Sequence, residues 1–333
     1  MSKYLTRLFQ VAWKPTVIGL AASVGLANLA NASYLEHEAV KPFVLEMVEK
    51  HGFDQQEVEA LFAQAEKKQS ILDAIARPAE KRLEWKGYRK IFITEDRITR
   101  GKAFMAEHAD TLKRAEKEFG VPKEVIAAII GVETRYGKNR GSYRVIDALS
   151  TLAFDYPPRS KFFKSELEQM LLLSREQKFN PMELKGSYAG AMGYGQFIPS
   201  SYRNFAVDFD GDGVADILNN PVDAIGSVAN YFKKHKWIEG QPVTGLASVT
   251  GTDYEQALYK SLKPKYTLKE MSQWGIRSED GFDLDAIGKL LKLEGKNGTE
   301  YWIGLHNFYV ITRYNHSHLY AMAVYQLSEA LKK

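Results

Sequence analysis

One glutamate, Glu133, has the residue type and the chain position that acid–base chemistry requires. It lies within Gly131–Gly137, which reads GVETRYG, four residues after Ile129 and seven after Ile126. That spacing places its carboxyl on the apolar face of a predicted helix. Burial and the negative C-terminal end of a helix both disfavour an ionised carboxyl, so we expect a raised pKa for Glu133. Such a residue could act as a general acid, although a glutamate paired with a nearby arginine would show the same spacing.

The helix that positions Glu133 is predicted to begin near Val121-Pro122 and to end by Tyr136. Proline is favoured in the first turn because an N–H group there has no partner within the helix. Gly137 fits the position beyond a helix C-terminus, where a left-handed conformation is common.

A glycine-rich segment, Gly186–Phe197, follows downstream and reads GSYAGAMGYGQF. Glycines spaced this closely among small and aromatic residues do not describe a regular helix or strand. Glycine lets a backbone approach a ligand closely, while tyrosine and glutamine supply stacking and hydrogen bonds. The segment therefore predicts a binding site, with a close crossing of two helices as the alternative.

The aspartates of the sequence DFDGDG match the first half of an EF-hand calcium loop, with oxygen ligands at positions one, three and five and glycine at position six. Aspartates this close repel one another unless a cation is bound, so we predict a structural Ca²⁺ ion. The candidate ligands are Asp208, Asp210, Asp212, Val214 through its backbone carbonyl, and Asp223.

The second half of this loop departs from the EF-hand pattern. Position twelve is Asn219, which cannot replace the usual bidentate glutamate, so Asp216 or Asp223 would have to complete the site. Asp223 has an alternative role, because Asn220 and Pro221 also fit the cap and first turn of a helix in which Asp223 would be the capping-box acid.

The composition limits the classes of function. The chain has 333 residues, a net charge of +4 and no cysteine, which excludes disulfides, thiolate metal sites and cysteine nucleophiles. The sequence contains no basic run interleaved with aromatic residues, so it gives no support for nucleic-acid binding. We expect no organic cofactor.

Residues 1–32 have the layout of a secretory signal peptide. A basic leader precedes the apolar run Thr16–Ala30, which is too short for an ordinary membrane-spanning helix, and Ala30-Asn31-Ala32 gives a small-x-small cleavage pattern. We predict cleavage before Ser33 and a periplasmic location, with an uncleaved anchor as the alternative.

The predicted fold class is mainly α (α+β). Residues 33–116 form an N-terminal helical domain, 117–239 a core that carries the EF-hand-like loop, 240–312 a small β-containing subdomain, and 313–333 a C-terminal helix that returns to the core.

Several local elements are predicted within these domains. Phe104–Phe119 reads as one amphipathic helix. Leu290–Glu294 and Tyr301–Gly304 flank a Gly-Lys-Asn-Gly turn and predict a β-hairpin, and Phe308–Thr312 reads as a further strand. Ser317 is expected to cap the last helix.

Taken together, these motifs resemble the lytic murein transglycosylase B family. The resemblance covers nearly the whole chain after the signal peptide. Its most specific parts are GVETRYG, GSYAGAMGYGQFIPSSY, the DFDGDG loop followed by NPVDAIGSVANYF, and HNFYVITRYNHS.

The resemblance implies a lysozyme-like core and cleavage of the β-1,4 bond between N-acetylmuramic acid and N-acetylglucosamine in peptidoglycan, leaving a 1,6-anhydromuramyl end. Glu133 matches the family's single catalytic acid/base, whereas ordinary glycosidases use two carboxylates. The DFDGDG loop matches the family's calcium site, apart from its altered far end. The positions that match substrate-binding residues are Tyr88, Arg159, Ser187, Gln196, Tyr231, Tyr314, Asn315 and Tyr320. Tyr320 also lies at core spacing on the last helix.

Two other functions remain open: a muramidase of similar fold that hydrolyses the same bond, and a non-catalytic peptidoglycan-binding protein. Glu133 in its apolar setting speaks against the second. The expected partners are peptidoglycan glycan strands and cell-wall synthesis or remodelling proteins, with the chain itself a monomer. The chain lacks the lipobox cysteine of lipid-anchored members, so we expect no lipid anchor.

Overall fold

The computed structural model describes residues 33–76 and 83–333, and these residues are mainly helical. The predicted signal peptide, 1–32, lies outside the described residues. Within the described ranges, no helix has both the length and the apolar character that crossing a bilayer requires.

Helices provide most of the architecture. They are α1 (Val40–His51), α2 (Gln55–Gln64), α3 (Gln69–Ala76), α4 (Trp85–Phe92), α5 (Glu95–Glu107), α6 (Ala109–Phe119), α7 (Lys123–Thr134), α8 (Val145–Phe154), α9 (Ser160–Gln177), α10 (Pro199–Phe205), α11 (Pro221–Lys234), α12 (Leu268–Gln273), α13 (His306–Tyr314) and α14 (His318–Leu331).

Helix α7 runs through the centre of the fold. Ile126, Ile129 and Ile130 are fully buried, as their spacing predicts, and α7 packs against α14, α5 and α11. The helix ends at Thr134, because Arg135 already has a left-handed φ of 51°. The reversal that we expected at Gly137 therefore begins two residues earlier, at a non-glycine residue.

The predicted helix Phe104–Phe119 is wrong as a single element. The chain leaves helical geometry at His108, where φ is −110° and ψ is 29°, so α5 ends and α6 begins. The two halves differ in their main neighbours, since Phe104 of α5 packs against the ring of Tyr136 at 5.4 Å whereas α6 packs most extensively against α11, and both helices also contact α7. One straight helix could not make both contacts.

The strands form two antiparallel sheets. A two-stranded sheet pairs β1 (Tyr143–Arg144) with β2 (Lys185–Gly186). A five-stranded sheet has the order β4-β6-β7-β3-β5, formed by β3 (Thr244–Val249), β4 (Tyr266–Thr267), β5 (Ile276–Ser278), β6 (Ile287–Gly295) and β7 (Gly298–Gly304).

The predicted hairpin is confirmed as β6 and β7. Gly295 pairs with Gly298 across a two-residue turn, and Gly298 has a φ of 119° that other residues rarely adopt. This sheet and α12 enclose a small hydrophobic cluster that includes Met271, Leu290 and Ile303.

The predicted strand Phe308–Thr312 is wrong, because these residues lie in helix α13. Phe308, Ile311 and Thr312 are buried together, which is the i, i+3, i+4 spacing of one helix face. Asn307 anchors the helix start, since its side-chain amide accepts from the Ile238 N–H at 2.9 Å and donates to the Ile238 carbonyl at 2.8 Å. Tertiary packing thus overrides the β-propensity of a short run rich in branched and aromatic residues.

Helix α14 begins as predicted. The Ser317 hydroxyl accepts a hydrogen bond from the Tyr320 N–H at 3.3 Å and so caps the helix. This cap fixes the first turn of α14 beside the end of α7.

Candidate functional site

Glu133 lies in the last turn of α7 and is partly exposed. The Tyr320 hydroxyl, from the first turn of α14, donates a hydrogen bond of 2.5 Å to Glu133 Oε1. Tyr320 itself is only 2% exposed. A hydrogen bond donated to a carboxylate stabilises the charged form, which opposes the effect that burial has on such a group.

Two further tyrosines surround this pair. The Tyr314 ring lies nearly parallel to the Tyr320 ring, with 6.4 Å between centroids and 11° between planes. The Tyr314 hydroxyl donates to the Gly195 carbonyl at 2.6 Å, and the Tyr231 ring lies 4.7 Å from that of Tyr314. These contacts bring the junction of α13 and α14 onto the glycine-rich segment.

The environment keeps these phenols protonated. Burial raises the pKa of Tyr314 and of Tyr320 well above the usual value, and the negative charge of Glu133 raises both further. Tyr88, on α4, also contributes to the raised pKa of Tyr320, which places it beside the same cluster. Both hydroxyls therefore act as hydrogen-bond donors over the physiological pH range.

Thr134 joins the end of α7 to the glycine-rich segment. Its hydroxyl lies 2.9 Å from the Tyr194 carbonyl and accepts a hydrogen bond from the Gly137 N–H at 2.9 Å. A Cβ atom on Gly137 would lie 2.2 Å from the Tyr194 ring, so glycine permits this close approach. Our reading of the sequence missed Thr134, although a hydroxyl residue at the end of a helix was the available indication.

The glycine-rich segment is irregular, as predicted, and is held by isolated backbone bridges from Met192 to Gly186 and to Phe197. The Ser187 hydroxyl accepts from the Ala191 N–H at 3.1 Å and closes a turn.

Gln196 adopts a left-handed φ of 51°, which is uncommon for a residue other than glycine. Its amide nitrogen donates to the carbonyls of Arg140, at 3.1 Å, and Gly193, at 3.0 Å. Because the nitrogen is fixed in this way, the amide oxygen is the atom of Gln196 that can accept a hydrogen bond from a ligand.

Two further predicted binding residues lie on segments that connect helices. Arg159 follows the turn Pro157-Pro158, and its guanidinium lies 4.3 Å from the centre of the Phe162 ring. The surface depression that it lines is formed by residues 157–162 and 165 and includes no member of the Glu133 cluster. Asn315 lies between α13 and α14 and is partly buried.

The three aspartates of the DFDGDG loop converge. Asp208, Asp210 and Asp212 are exposed and each offers an oxygen within 4.8 Å of the others. The Asp208 carboxylate accepts N–H bonds from Gly213 at 2.7 Å and Gly211 at 2.7 Å, and these bonds hold its pKa below the usual value. Hard oxygen ligands on one short loop fit the coordination that Ca²⁺ prefers.

Asp223 is not part of this aspartate group. It is fully buried, and its carboxylate accepts from the N–H groups of Phe209 at 2.7 Å and Asp216 at 2.8 Å. Burial raises its pKa. Asn220 caps α11 by accepting from the Val222 N–H at 2.9 Å, as the sequence suggested, but Asp223 is not the capping-box acid, because the Asn220 N–H donates to the Asp216 carbonyl. Asp223 supports the loop from within, with both oxygens occupied by backbone donors.

Comparison with known proteins agrees with this geometry. The model of the transglycosylase SLT domain family matches residues 36–329. The chain is 45% identical over 298 residues to the membrane-bound lytic murein transglycosylase B of Escherichia coli strain K12, covering 87% of this chain and 81% of that protein.

Solved structures show the same fold. The catenated lytic transglycosylase SltB1 of Pseudomonas aeruginosa has a TM-score of 0.87 and 53% identity, covering 90% of this chain and 98% of that chain. The Escherichia coli lytic transglycosylase Slt35 in complex with calcium has a TM-score of 0.82 and 44% identity, covering 89% of this chain and 93% of that chain. The expected lysozyme-like architecture is thereby confirmed, and this chain belongs to the SLT-domain family of transglycosylases.

Proposed function

We infer that this chain is a lytic transglycosylase of peptidoglycan, a lyase that cleaves the β-1,4 bond between N-acetylmuramic acid and N-acetylglucosamine. Its family and its relatives support this activity. The observation that carries the proposal is a partly exposed Glu133 whose Oε1 is held by Tyr320 at 2.5 Å. A protein that only binds glycan needs no carboxyl oriented in this way.

Glu133 performs both proton transfers in the proposed mechanism. Its protonated form donates to the bridging oxygen as the bond from that oxygen to muramyl C1 breaks. The resulting carboxylate then removes the proton from the muramyl C6 hydroxyl, whose oxygen attacks C1 and closes the 1,6-anhydro ring. Glu133 ends protonated, as it began, and no water is consumed.

One carboxylate suffices in this scheme, and the surroundings of the cluster support it. Glu133 is the carboxylate whose negative charge raises the pKa of both Tyr314 and Tyr320. Ordinary glycosidases place a second carboxylate across the scissile bond. We propose that the substrate's own N-acetyl group stabilises the positive charge at C1 instead.

The tyrosine rings provide flat faces for sugar stacking, and Gln196 offers its amide oxygen to a sugar hydroxyl. Tyr320 positions the acid. Arg159, on its separate turn, offers a cation to the acidic stem peptide of a longer strand. The full set proposed to contact substrate is Tyr88, Arg159, Ser187, Gln196, Tyr231, Tyr314, Asn315 and Tyr320.

We propose that the loop aspartates Asp208, Asp210 and Asp212, with the Val214 carbonyl, hold a calcium ion. The relative Slt35 is described in complex with calcium, which supports this assignment. The ion would neutralise the repulsion between the carboxylates and fix the loop before α11. The role proposed for the ion is structural, because its ligands lie on one exposed loop that leads into α11.

We propose a periplasmic location, which the substrate and the predicted signal peptide support. We also propose domain limits near 116, 239 and 312, of which the first and the last lie within α6 and α13. Glycan strands are the proposed partner.

Product analysis tests the reaction. Digested sacculi should yield 1,6-anhydromuramyl ends by mass spectrometry, whereas reducing ends would identify a muramidase. Glu133→Gln should abolish turnover while sacculus binding persists. Glu124→Gln, on the first turn of the same helix and also partly buried, is the matched control and should retain activity. Full turnover by Glu133→Gln would remove the assignment.

A further inference from the structure

A surface cavity of about 780 Å³ lies where α4, the β6–β7 hairpin and the last turns of α14 meet. We call it the basic cavity, and none of its lining residues belongs to the Glu133 cluster. Tyr325 lines it, five residues after Tyr320, which places the two side chains about 7.5 Å apart along α14 and about 140° apart around it. The basic cavity therefore opens on a different side of α14 from Glu133, and its volume lies within the usual range of about 300–1,000 Å³ for ligand sites.

Aromatic residues form the floor of the basic cavity. The rings of Trp302 and Tyr325 lie 6.3 Å apart at 75°, and both side chains are partly exposed. The Trp302 Nε1–H donates to Glu300 Oε2 at 3.2 Å, which fixes the indole. Leu246, at the same cavity, is 42% exposed, so the floor presents apolar surface to a ligand.

The rim of the basic cavity carries excess positive charge. Five cationic side chains line it, against three carboxylates, and one of the cations, Lys86, pairs with Glu84 at 2.7 Å. Of those carboxylates, Glu329 pairs with Lys332 at 2.6 Å and Glu300 accepts from the indole. Lys90 and Lys296 are exposed and have no ion-pair partner within 4.0 Å in the part of the chain that the structure describes. These two ammonium groups, from α4 and from the hairpin tip, remain for an anionic ligand.

We propose that the basic cavity binds the acidic stem peptide of peptidoglycan, at a place separate from the glycan cleft. Lys90 and Lys296 would pair with the peptide's carboxylates while its aliphatic portions lie on Trp302 and Tyr325. A neutral glycan would use the aromatic floor but leave the cations unpaired, so charge complementarity favours the peptide. The inference rests on the proposed function, because that function supplies a substrate in which every glycan strand carries such peptides.

A second contact of this kind would hold the enzyme on a multivalent polymer. When one site is bound, the other meets its ligand at a high effective concentration, so retention on sacculi exceeds that of the glycan cleft alone. The basic cavity touches no reacting atom and would leave the chemistry at Glu133 unchanged.

The test measures binding of a synthetic, sugar-free acidic pentapeptide to the full chain by calorimetry at low salt. Lys90→Glu combined with Lys296→Glu should weaken binding at least about tenfold, because two attractions become repulsions. Lys41→Glu, an equally exposed lysine on α1 that does not line the basic cavity, should bind like the unmodified chain. A peptide with amidated carboxyls should bind at least about tenfold more weakly than the acidic one.

Three results would overturn the proposal: unchanged affinity in the double variant, equal loss in Lys41→Glu, or equal binding of the amidated peptide. Displacement of the peptide by a neutral chito-oligosaccharide would also overturn it. Should the double variant melt early, Lys90→Gln with Lys296→Gln keeps the test intact. Because the probe has no glycosidic bond, its binding is independent of turnover, so failure of the proposed activity and failure of this inference give different results.

Discussion

Replacing Tyr320 with phenylalanine isolates the hydrogen bond that holds the proposed acid. Tyr320→Phe keeps the buried ring and its parallel contact with Tyr314 but removes the hydroxyl that lies 2.5 Å from Glu133 Oε1. Hydrogen bonds to charged groups contribute about 1.5–3 kcal/mol, and this one favours the carboxylate. At about 1.36 kcal/mol per pH unit, its loss should favour the protonated form by about 1–2 pH units.

The assay is the pH dependence of kcat/KM on a soluble peptidoglycan fragment. The free enzyme must be protonated at Glu133 to donate, so activity falls on the alkaline side as the carboxylate forms. Tyr320→Phe should move that alkaline limb upward by about 1–2 pH units and lower the maximal rate, because the carboxylate is no longer oriented.

Tyr231→Phe is the matched control. It removes a hydroxyl that donates to the Arg313 backbone carbonyl at 2.6 Å. The alkaline limb of its kcat/KM profile should lie at the same pH as that of the unmodified chain. An unchanged or downward-shifted limb in Tyr320→Phe would refute the reasoning, since the hydroxyl would then not be stabilising the carboxylate.

Three further predictions concern stability. Gly137→Ala should lower the free energy of unfolding by more than about 1 kcal/mol in denaturant titration, because its Cβ would lie 2.2 Å from the Tyr194 ring. Gly52→Ala is the control. Gly52 also has a positive φ but lies in open space, so this variant should lower the free energy of unfolding by less. Chelator should lower the melting temperature of the unmodified chain but not that of Asp208→Asn, and identical shifts would argue against calcium in the loop. Burial lowers the pKa of Lys289 from 10.5 to about 8, so the unfolded chain holds this proton more tightly and stability should rise with pH between those values. Lys289→Met should flatten that rise in melts recorded across the window, and a slope that persists would contradict the assignment.

The sequence predicted the elements whose signals are local. Ser317 caps α14 by accepting from the Tyr320 N–H at 3.3 Å, as its residue type predicts. The β6–β7 hairpin follows equally from its turn residues. In each case, the determining atoms lie within a few residues of one another.

Elements set by distant contacts could not be predicted in the same way. His108 interrupts a continuous amphipathic pattern because α5 packs against α7 and α14, whereas α6 packs mainly against α11. Asp223 offered two roles from sequence alone, and only the placement of the Phe209 and Asp216 N–H groups shows that backbone donors occupy its oxygens. The choice between metal ligand and structural acid depends on loop geometry that spacing does not encode.

Tyr320 shows why core and site cannot be separated by pattern. Its spacing on α14 is that of a core residue, and the structure agrees, since only 2% of the side chain is exposed. Yet its hydroxyl reaches a carboxylate 187 residues earlier in the chain. Burial supports the hydrogen bond to Glu133 in two ways. Packing fixes the Tyr320 ring and therefore the position of its hydroxyl, and the raised pKa keeps that hydroxyl protonated as a donor. The core around α7 and α14 thus acts as the positioning device of the candidate site, and substitutions that loosen it should reduce activity before they unfold the chain.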